Sequence, residues 1–191
     1  PAAGADARAD ATLAGSAEAG GRRVQLVPGP APEPVVVPVV VCGDGHLNPP
    51  GAEVCTVCGA GVDEGQTPSE APRPSLGALR FDNGATFALD ATVFLGRDPE
   101  ADPEVADMVQ RGAARALSLE DEDRTISRVH AEIRLSGWEV QAVDRSVNGT
   151  LVLPPGSSEW SRLMPQTVTP LEAGARILIG GHAFTVVERA D

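Results

Sequence analysis

The most restrictive feature of this sequence is a long series of short β-forming runs that begins at Leu76. From there onward, runs of Val, Ile, Leu, Phe and Thr alternate with turn-forming residues at intervals of about 8–12 positions, which is typical of an all-β sandwich. The alternation predicts strands at Leu79–Phe81, Ala85–Leu89, Thr92–Leu95, Leu117–Leu119, Val129–Leu135, Trp138–Val143, Gly149–Leu153, Ala175–Ile179 and Phe184–Glu188. Asp82-Asn83-Gly84 predicts a hairpin with a positive φ at both turn centres. The predicted fold class is therefore all-β.

One segment of the predicted sandwich follows a different period. Val105, Met108, Val109 and Ala113 recur at helical spacing, so we predict a short helix within residues 103–116.

The sequence before Leu76 divides into three parts. Residues 1–34 are rich in Ala, Gly, Pro and Arg and lack a sustained apolar period, so we predict a flexible leader. Residues 35–62 contain every cysteine, and residues 63–75 form a Pro- and Glu-rich linker. Residues 76–191 then form the β domain.

The charge balance excludes some classes of partner. The chain has 27 acidic and 15 basic residues, giving a net charge of -12. An acidic surface is repelled by the phosphate backbone of nucleic acids, so we expect no nucleic-acid partner. No uninterrupted apolar run approaches the roughly 18 residues of a membrane helix, so we also expect no membrane partner.

The cysteine cluster predicts a metal site. Three cysteines cannot form a closed set of disulfides, and a histidine lies among them, which favours metal binding in a reducing cytoplasm. The ligands would be Cys42, His46, Cys55 and Cys58, a Cys₃His set that leaves no position open for water and is therefore structural. This segment resembles bacterial zinc-ribbon knuckles. Unliganded thiols with an incidental histidine, or a redox pair at Cys55 and Cys58, are the alternatives. A knuckle that contacts nucleic acid is a third, but residues 42–62 contain no Arg and no aromatic residue.

Three short stretches stand at strand ends of the predicted sandwich: Gly96-Arg97, residues 125–131 with Ser127, Arg128 and His130, and residues 144–150 with Asn148, Gly149 and Thr150. In this order they resemble the forkhead-associated (FHA) domain, and the resemblance covers about residues 76–190. It implies a non-catalytic module that binds phosphothreonine. The residues it implies as phosphopeptide contacts are Arg97, Ser127, Arg128 and Asn148. Those that would support the site are Gly96, His130, Gly149 and Thr150.

The partner implied by the resemblance is a protein phosphorylated on threonine by a bacterial Ser/Thr kinase. An acidic chain can still bind a phosphate through a local pocket, because a planar guanidinium forms strong and directional bonds to it. Val147 departs from family members that carry a hydroxyl there, which supports the alternative of a phosphate-independent scaffold. A hydrolase built on Ser127, His130 and Asp144 is a second alternative, but Ser127 lacks the Gly-x-Ser-x-Gly setting of a nucleophile elbow.

The segment between Arg97 and Ser127 is longer than the family usually needs. Residues 98–126, with the acidic run Glu120–Asp123, could be a rim that selects partner sequences or a tolerated surface insertion. Trp160, within residues 154–165, could contact a partner or cover the edge of the sandwich.

Overall fold

The computed structural model describes residues 22–189, so residues 1–21 of the predicted leader lie outside the described residues. The strands and the one α-helix of this range are, in chain order, β1 (Val24–Leu26), β2 (Val36–Val41), β3 (Leu47–Asn48), β4 (Ser69–Pro72), β5 (Ala78–Phe81), β6 (Thr86–Ala88), β7 (Thr92–Gly96), α1 (Pro103–Gln110), β8 (Ala114–Leu119), β9 (Ala131–Ser136), β10 (Glu139–Asp144), β11 (Leu151–Leu153), β12 (Ser161–Arg162), β13 (Val168–Leu171), β14 (Arg176–Ile179) and β15 (His182–Val187).

Two six-stranded sheets enclose the main apolar core. One sheet has the order β1-β8-β7-β9-β10-β13 and the other β12-β11-β14-β15-β5-β6. Side chains that alternate along the strands point inward from both sheets, including Leu95 and Ile133 from the first and Ile177 and Phe184 from the second, all fully buried. The prediction of an all-β sandwich is confirmed.

The hairpin between β5 and β6 lies where it was predicted, but its turn has a different geometry. Gly84 has a φ of 87°, whereas Asn83 has a negative φ, so the prediction of two positive values is wrong. The Phe81 amide donates to the Ala85 carbonyl over 2.8 Å, which closes a three-residue loop. Only the last residue of such a loop needs the left-handed conformation.

The short helix predicted within residues 103–116 is present as α1, but it ends before Ala113, which the helical spacing included. Helix α1 ends at Gln110, where Gly112 has a φ of 69° and Ala113 donates to the Met108 carbonyl over 2.9 Å. This is the Schellman arrangement, which stops a helix at a glycine. The residues from Ala114 to Leu119 instead form β8, which pairs in parallel with β7. Residues 98–126 are therefore not only a surface insertion, since Leu117 and Leu119 lie in the main core.

The boundaries predicted for the leader and the linker are also wrong. Strand β1 pairs with β8, and Val24 packs into the main core, so residues 22–34 are not a free leader. Within the predicted linker, β4 pairs with residues Val36–Val39 of β2. Both segments are short and polar on one face, so their order depends on partners that local periodicity does not reveal.

The small sheet β3-β2-β4 carries the cysteine cluster and contacts the sandwich at defined points. The Trp138 indole N–H donates to the Pro38 carbonyl over 2.9 Å. Arg73 donates to the Gly137 carbonyl over 3.1 Å, and Arg189 to the Leu47 carbonyl over 3.2 Å. Across residues 22–189, none of the helices has the length and apolar character needed to cross a membrane.

Candidate functional site

Three loops meet at one end of the sandwich, and backbone contacts fix two of them together. Arg97 directly follows β7, and its amide donates to the Ser127 carbonyl over 3.1 Å. The next amide, of Asp98, donates to the Arg128 carbonyl over 3.3 Å. Gly96 permits this approach, because a Cβ there would lie 1.8 Å from the Arg128 carbonyl oxygen. The Gly96-Arg97 and Ser127-Arg128 stretches are thus brought side by side.

Arg97 and Ser127 line two adjoining open clefts on this surface. The Arg128 cleft also contains Asp102, Arg128, Arg145 and Gln166. The Arg124 cleft also contains Asp121, Arg124, Thr125 and Asn148. Within residues 22–189, the guanidinium groups of Arg97 and Arg128 are exposed and form no salt bridge, so both are open to an anion from solvent.

The Ser127 hydroxyl is oriented by its neighbours. Its oxygen accepts a hydrogen bond from the Val147 amide over 3.2 Å. The hydroxyl hydrogen remains able to donate, because a serine oxygen accepts and donates at once. Ser127 is therefore placed as a neutral donor next to the Arg97 cation.

His130 is fully buried and connects two of the loops. Its Nδ1 accepts from the Ser127 amide over 3.1 Å, and its Nε2 lies 3.3 Å from the Gly149 carbonyl. Accepting at Nδ1 requires a neutral ring with its proton on Nε2. Burial lowers the pKa of His130, and this outweighs the opposing hydrogen bond to Gly149 and the charges of Asp144 and Asp121. The ring thus holds the Ser127 and Gly149 loops together. Neither of its nitrogens bonds to the Ser127 hydroxyl, which argues against the hydrolase alternative.

The loop after β10 is organised by Asp144, a buried carboxylate. Its Oδ1 accepts from the Ser146 hydroxyl over 2.7 Å and from the Thr150 hydroxyl over 3.0 Å. The Ser146 oxygen in turn accepts from the Gly149 amide over 2.6 Å. The sequence analysis predicted Thr150 as a supporting residue but missed the roles of Asp144 and Ser146. The only sequence signal for those roles was the presence of three polar residues, Asp144, Ser146 and Thr150, around one turn.

Asn148 and Gly149 lie at the tip of this loop. The Asn148 side-chain amide donates to the Thr125 carbonyl over 2.8 Å, so one of its N–H groups and its oxygen are left for a ligand. Gly149 has a φ of 91°, which a residue with a side chain adopts rarely. Arg162 of β12 donates to the Asn148 carbonyl over 2.6 Å, a contact that no sequence signal indicated.

Comparison with known proteins relates the segment that carries these loops to a known family. The family model of the FHA domain matches residues 93–180. This chain contains an FHA domain. The predicted resemblance is thereby confirmed, and FHA domains are phosphothreonine-binding modules.

Several solved FHA structures are similar to this chain. The FHA domain of human APLF, in complex with an XRCC1 bisphospho peptide, is 18% identical over 59% of this chain and 97% of that chain, with a TM-score of 0.44. The FHA domain of the CT664 protein from Chlamydia trachomatis is 28% identical over 59% of this chain and 97% of that chain, with a TM-score of 0.40. Mycobacterium tuberculosis EmbR, in complex with a low affinity phosphopeptide, is 24% identical over 63% of this chain and 26% of that chain, with a TM-score of 0.43. No curated protein matches the sequence.

A third arginine of the FHA surface, Arg145, was not foreseen as part of the site. It lines the Arg128 cleft, but its guanidinium pairs with Glu132 over 2.6 Å and lies 5.5 Å from the centre of the Phe94 ring. Burial would raise the pKa of Glu132, yet hydrogen bonds from Arg134 and Arg145 lower it overall. Arg145 is therefore held in place by Glu132, which it shares with Arg134.

The predicted metal ligands of the small sheet also come together. The ligand atoms of Cys42, His46, Cys55 and Cys58 all lie within 4.8 Å of one another. The Cys42 Sγ lies 3.4 Å from His46 Nδ1 and 3.8 Å from Cys58 Sγ. A tetrahedral ion with Zn–S bonds of about 2.3 Å needs ligand atoms at about this separation. The donor set therefore fits a closed four-ligand site.

Backbone amides and a buried asparagine support this cluster. Burial would raise the pKa of Cys55, but hydrogen bonds from the Cys58 and Val57 amides lower it to about 6, which favours the thiolate. Asn48, which is fully buried, donates to the His46 carbonyl over 2.9 Å and accepts from the Thr56 amide over 3.1 Å. It thereby ties the His46 loop to the Cys55 loop, a role that the sequence did not indicate.

Proposed function

We propose that this chain binds threonine-phosphorylated proteins through the FHA loops. The observation that carries the proposal is that an unpaired Arg97 guanidinium and the Ser127 hydroxyl line the same clefts on adjoining loops. A phosphate dianion is recognised by such a combination of a planar cation and a neutral donor. The overall charge of -12 does not prevent this, because the contacts are local.

Each predicted site residue has a role in this proposal. Arg97 and Ser127 bind the phosphate oxygens, and Arg128 adds a second cation from the neighbouring cleft. Asn148 binds the peptide backbone with the amide groups that Thr125 leaves free. Gly96, His130, Gly149 and Thr150 hold these residues in position without contacting the ligand.

We propose the wider setting from the resemblance to the FHA family. The phosphorylated partner would be the product of a bacterial Ser/Thr kinase, and the chain would act as a non-catalytic reader in that signalling. Three reduced thiols in a metal cluster suit the reducing conditions of a cytoplasm. Threonine is favoured over serine as the phosphorylated residue because its methyl group offers an additional apolar contact.

A pair of degenerate peptide libraries, one centred on phosphothreonine and one on threonine, tests the proposal. The full chain should retain the phosphorylated library and not its unphosphorylated twin. Arg97→Ala should weaken retention at least tenfold, because one charge-assisted contact contributes about 1.5–3 kcal/mol. Arg80→Ala, which removes an exposed arginine of β5 in the other sheet, is the matched control and should bind like the wild type.

The alternative is a scaffold that binds proteins without phosphate. Val147 is the observation that favours it, since its side chain is 90% exposed beside the clefts and has no donor. Equal retention of the phosphorylated and unphosphorylated libraries would support the scaffold and overturn the proposal.

We also propose that Cys42, His46, Cys55 and Cys58 bind one structural zinc ion. The apolar cluster around them consists of little more than Val40, Val62 and two of the cysteines, so it contributes little stability by itself. Metal binding would then supply most of the free energy that folds this sheet.

Metal analysis of the purified chain should give one zinc ion per molecule. Cys55→Ser should lose the ion, and Asn48→Ala should weaken zinc binding by about tenfold, because the two ligand loops would no longer be tied together. Glu53→Ala, at an exposed position of the same sheet region, is the control. A wild-type chain that contains no zinc when prepared without chelators would contradict the proposal.

A further inference from the structure

A cavity of about 390 Å³ lies between the small sheet and the sandwich. Pro49 and Thr56, in the loops of the cysteine cluster, line one side of it. Strand β10 begins on the other side at Glu139 and ends at Asp144 in the FHA loops. The cavity shares no lining residue with the two FHA clefts. It is therefore a separate site, and its volume falls in the range of about 300–1,000 Å³ that is usual for ligand pockets.

Hydrogen bonds between the two bodies fix the width of this cavity. The Trp138 indole N–H donates to the Pro38 carbonyl over 2.9 Å, and Arg189 donates to the Leu47 carbonyl over 3.2 Å. Trp138 and Arg189 both line the cavity as well. The folded chain therefore forms the cavity without a ligand, and binding there does not require a costly rearrangement.

The floor of the cavity is apolar. Val140, Leu171 and Val186 belong to the main core, and Leu76 packs against them. Trp138 is half-buried, and its single donor is used by Pro38, so only the aromatic ring is available to a ligand. Aliphatic and aromatic surfaces of this kind suit a ligand with an apolar stem.

Two exposed carboxylates, those of Glu139 and Glu188, also line the cavity. Within residues 22–189, neither carboxylate forms a salt bridge. Arg189 is the third charged residue of the lining, and its guanidinium donates to the Leu47 carbonyl instead. The Gln141 side chain donates to one Glu139 oxygen over 2.8 Å, which orients the carboxylate and leaves its other oxygen for a ligand. The lining thus favours a cation.

We propose that this cavity binds the side chain of an arginine on a partner protein. The aliphatic stem would contact the apolar floor, and the planar guanidinium would stack on Trp138 and donate to Glu139 or Glu188. A lysine ammonium is more strongly hydrated and lacks the planar fork, so it fits less well. The net charge of -12 adds a long-range attraction for a basic segment. This binding is independent of the proposed phosphothreonine recognition.

Three blocked pentapeptides test the proposal on the full chain: Gly-Leu-Arg-Leu-Gly and its versions with Lys or Gln at the centre. The readout is the NMR signal of the Trp138 indole N–H. The chain has two tryptophans, and Trp160→Phe identifies which of the two indole signals belongs to Trp138. The arginine peptide should shift this signal to saturation. The glutamine peptide should bind at least about fivefold more weakly, and the lysine peptide about threefold more weakly.

Substitutions of the carboxylates show which groups recognise the cation. Glu139→Gln and Glu188→Gln should each weaken binding of the arginine peptide by about two- to fivefold, as expected for exposed ion pairs. The double variant should bind it no better than the wild type binds the glutamine peptide. Glu172→Gln is the matched control, because Glu172 is exposed and lies between two lining residues in the sequence but does not itself line the cavity. Thermal unfolding checks that each variant is folded.

The outcomes are independent of phosphothreonine binding, because Arg97→Ala should bind the arginine peptide like the wild type. An unshifted Trp138 signal, or equal binding of the arginine and glutamine peptides, overturns the proposal. Undiminished affinity in the double carboxylate variant also overturns it. Equal affinities for the arginine and lysine peptides overturn the assignment of the ligand to a guanidinium.

Discussion

A Cβ atom placed on Gly96 would lie 1.8 Å from the carbonyl oxygen of Arg128. The end of β7 and the Ser127-Arg128 loop are joined at this point by the amides of Arg97 and Asp98. The position therefore tolerates no side chain, although its φ is not positive.

Gly96→Ala should separate these two segments. We expect the free energy of unfolding to fall by about 3 kcal/mol, which is the upper part of the range for overpacking, and phosphopeptide binding to be lost. Chemical denaturation measures the first effect, and a pulldown measures the second. Gly61→Ala, where nothing lies within 4 Å of the added Cβ, should leave both unchanged. Wild-type stability in Gly96→Ala would contradict the described packing.

The buried His130 should make stability depend on pH. Burial lowers its pKa in the folded state, so the unfolded chain binds the proton more readily. The stabilisation is fully present above the unfolded value of about 6.5 and decreases as the pH falls towards the folded value. Burial also lowers the pKa of His182, which lies against the Glu120 carbonyl at 2.7 Å.

Denaturation curves measured between about pH 7.5 and 5.5 check this dependence. Each histidine can contribute a slope of at most about 1.4 kcal/mol per pH unit. His130→Gln and His182→Gln should each flatten the slope. Equal slopes in the wild type and in both variants would contradict this dependence.

Val147→Ser should strengthen phosphothreonine binding. Val147 is exposed beside Ser127, and its amide already donates to the Ser127 oxygen. A hydroxyl at this position could donate to the phosphate, and we expect affinity to increase by about five- to tenfold, somewhat less than the value of a buried charge-assisted bond. Titration with a phosphothreonine peptide measures the change. Val147→Ala is the control, and equal affinities of the two variants would show that residue 147 does not face the phosphate.

Val24 should contribute to the stability of the FHA domain although it precedes the cysteine cluster in the sequence. Its side chain packs in the main core, and β1 pairs with β8. Val24→Ala should lower the free energy of unfolding by about 2 kcal/mol through the cavity it leaves. Gln25→Ala, at an exposed position of the same strand, should have little effect. Equal stabilities of the two variants would indicate that β1 does not pack against the sandwich.

Local patterns in the sequence were sufficient for much of the sandwich. Strands such as β9 and β10 alternate apolar and polar residues and are joined by a tight Ser136-Gly137 turn, so their pairing is a consequence of near neighbours. The metal ligands are likewise close in sequence. Residues 96–97, 127–130 and 148–150 were recognisable as a set because their types and order are specific.

The tertiary structure decided the features that depend on distant partners. Strands β1 and β4 are only three and four residues long, too short for a period to be recognised, and become ordered by pairing with β8 and β2. Residues 114–116 continue a helical pattern, yet the Gly112 cap and the parallel partner β7 make them a strand. The sequence by itself determined which side chains could bind an anion or a metal. The packing determined which cations remain unpaired, because only the folded chain brings Glu132 to Arg145 and Asp123 to Arg22 and leaves Arg97, Arg124 and Arg128 exposed at the clefts.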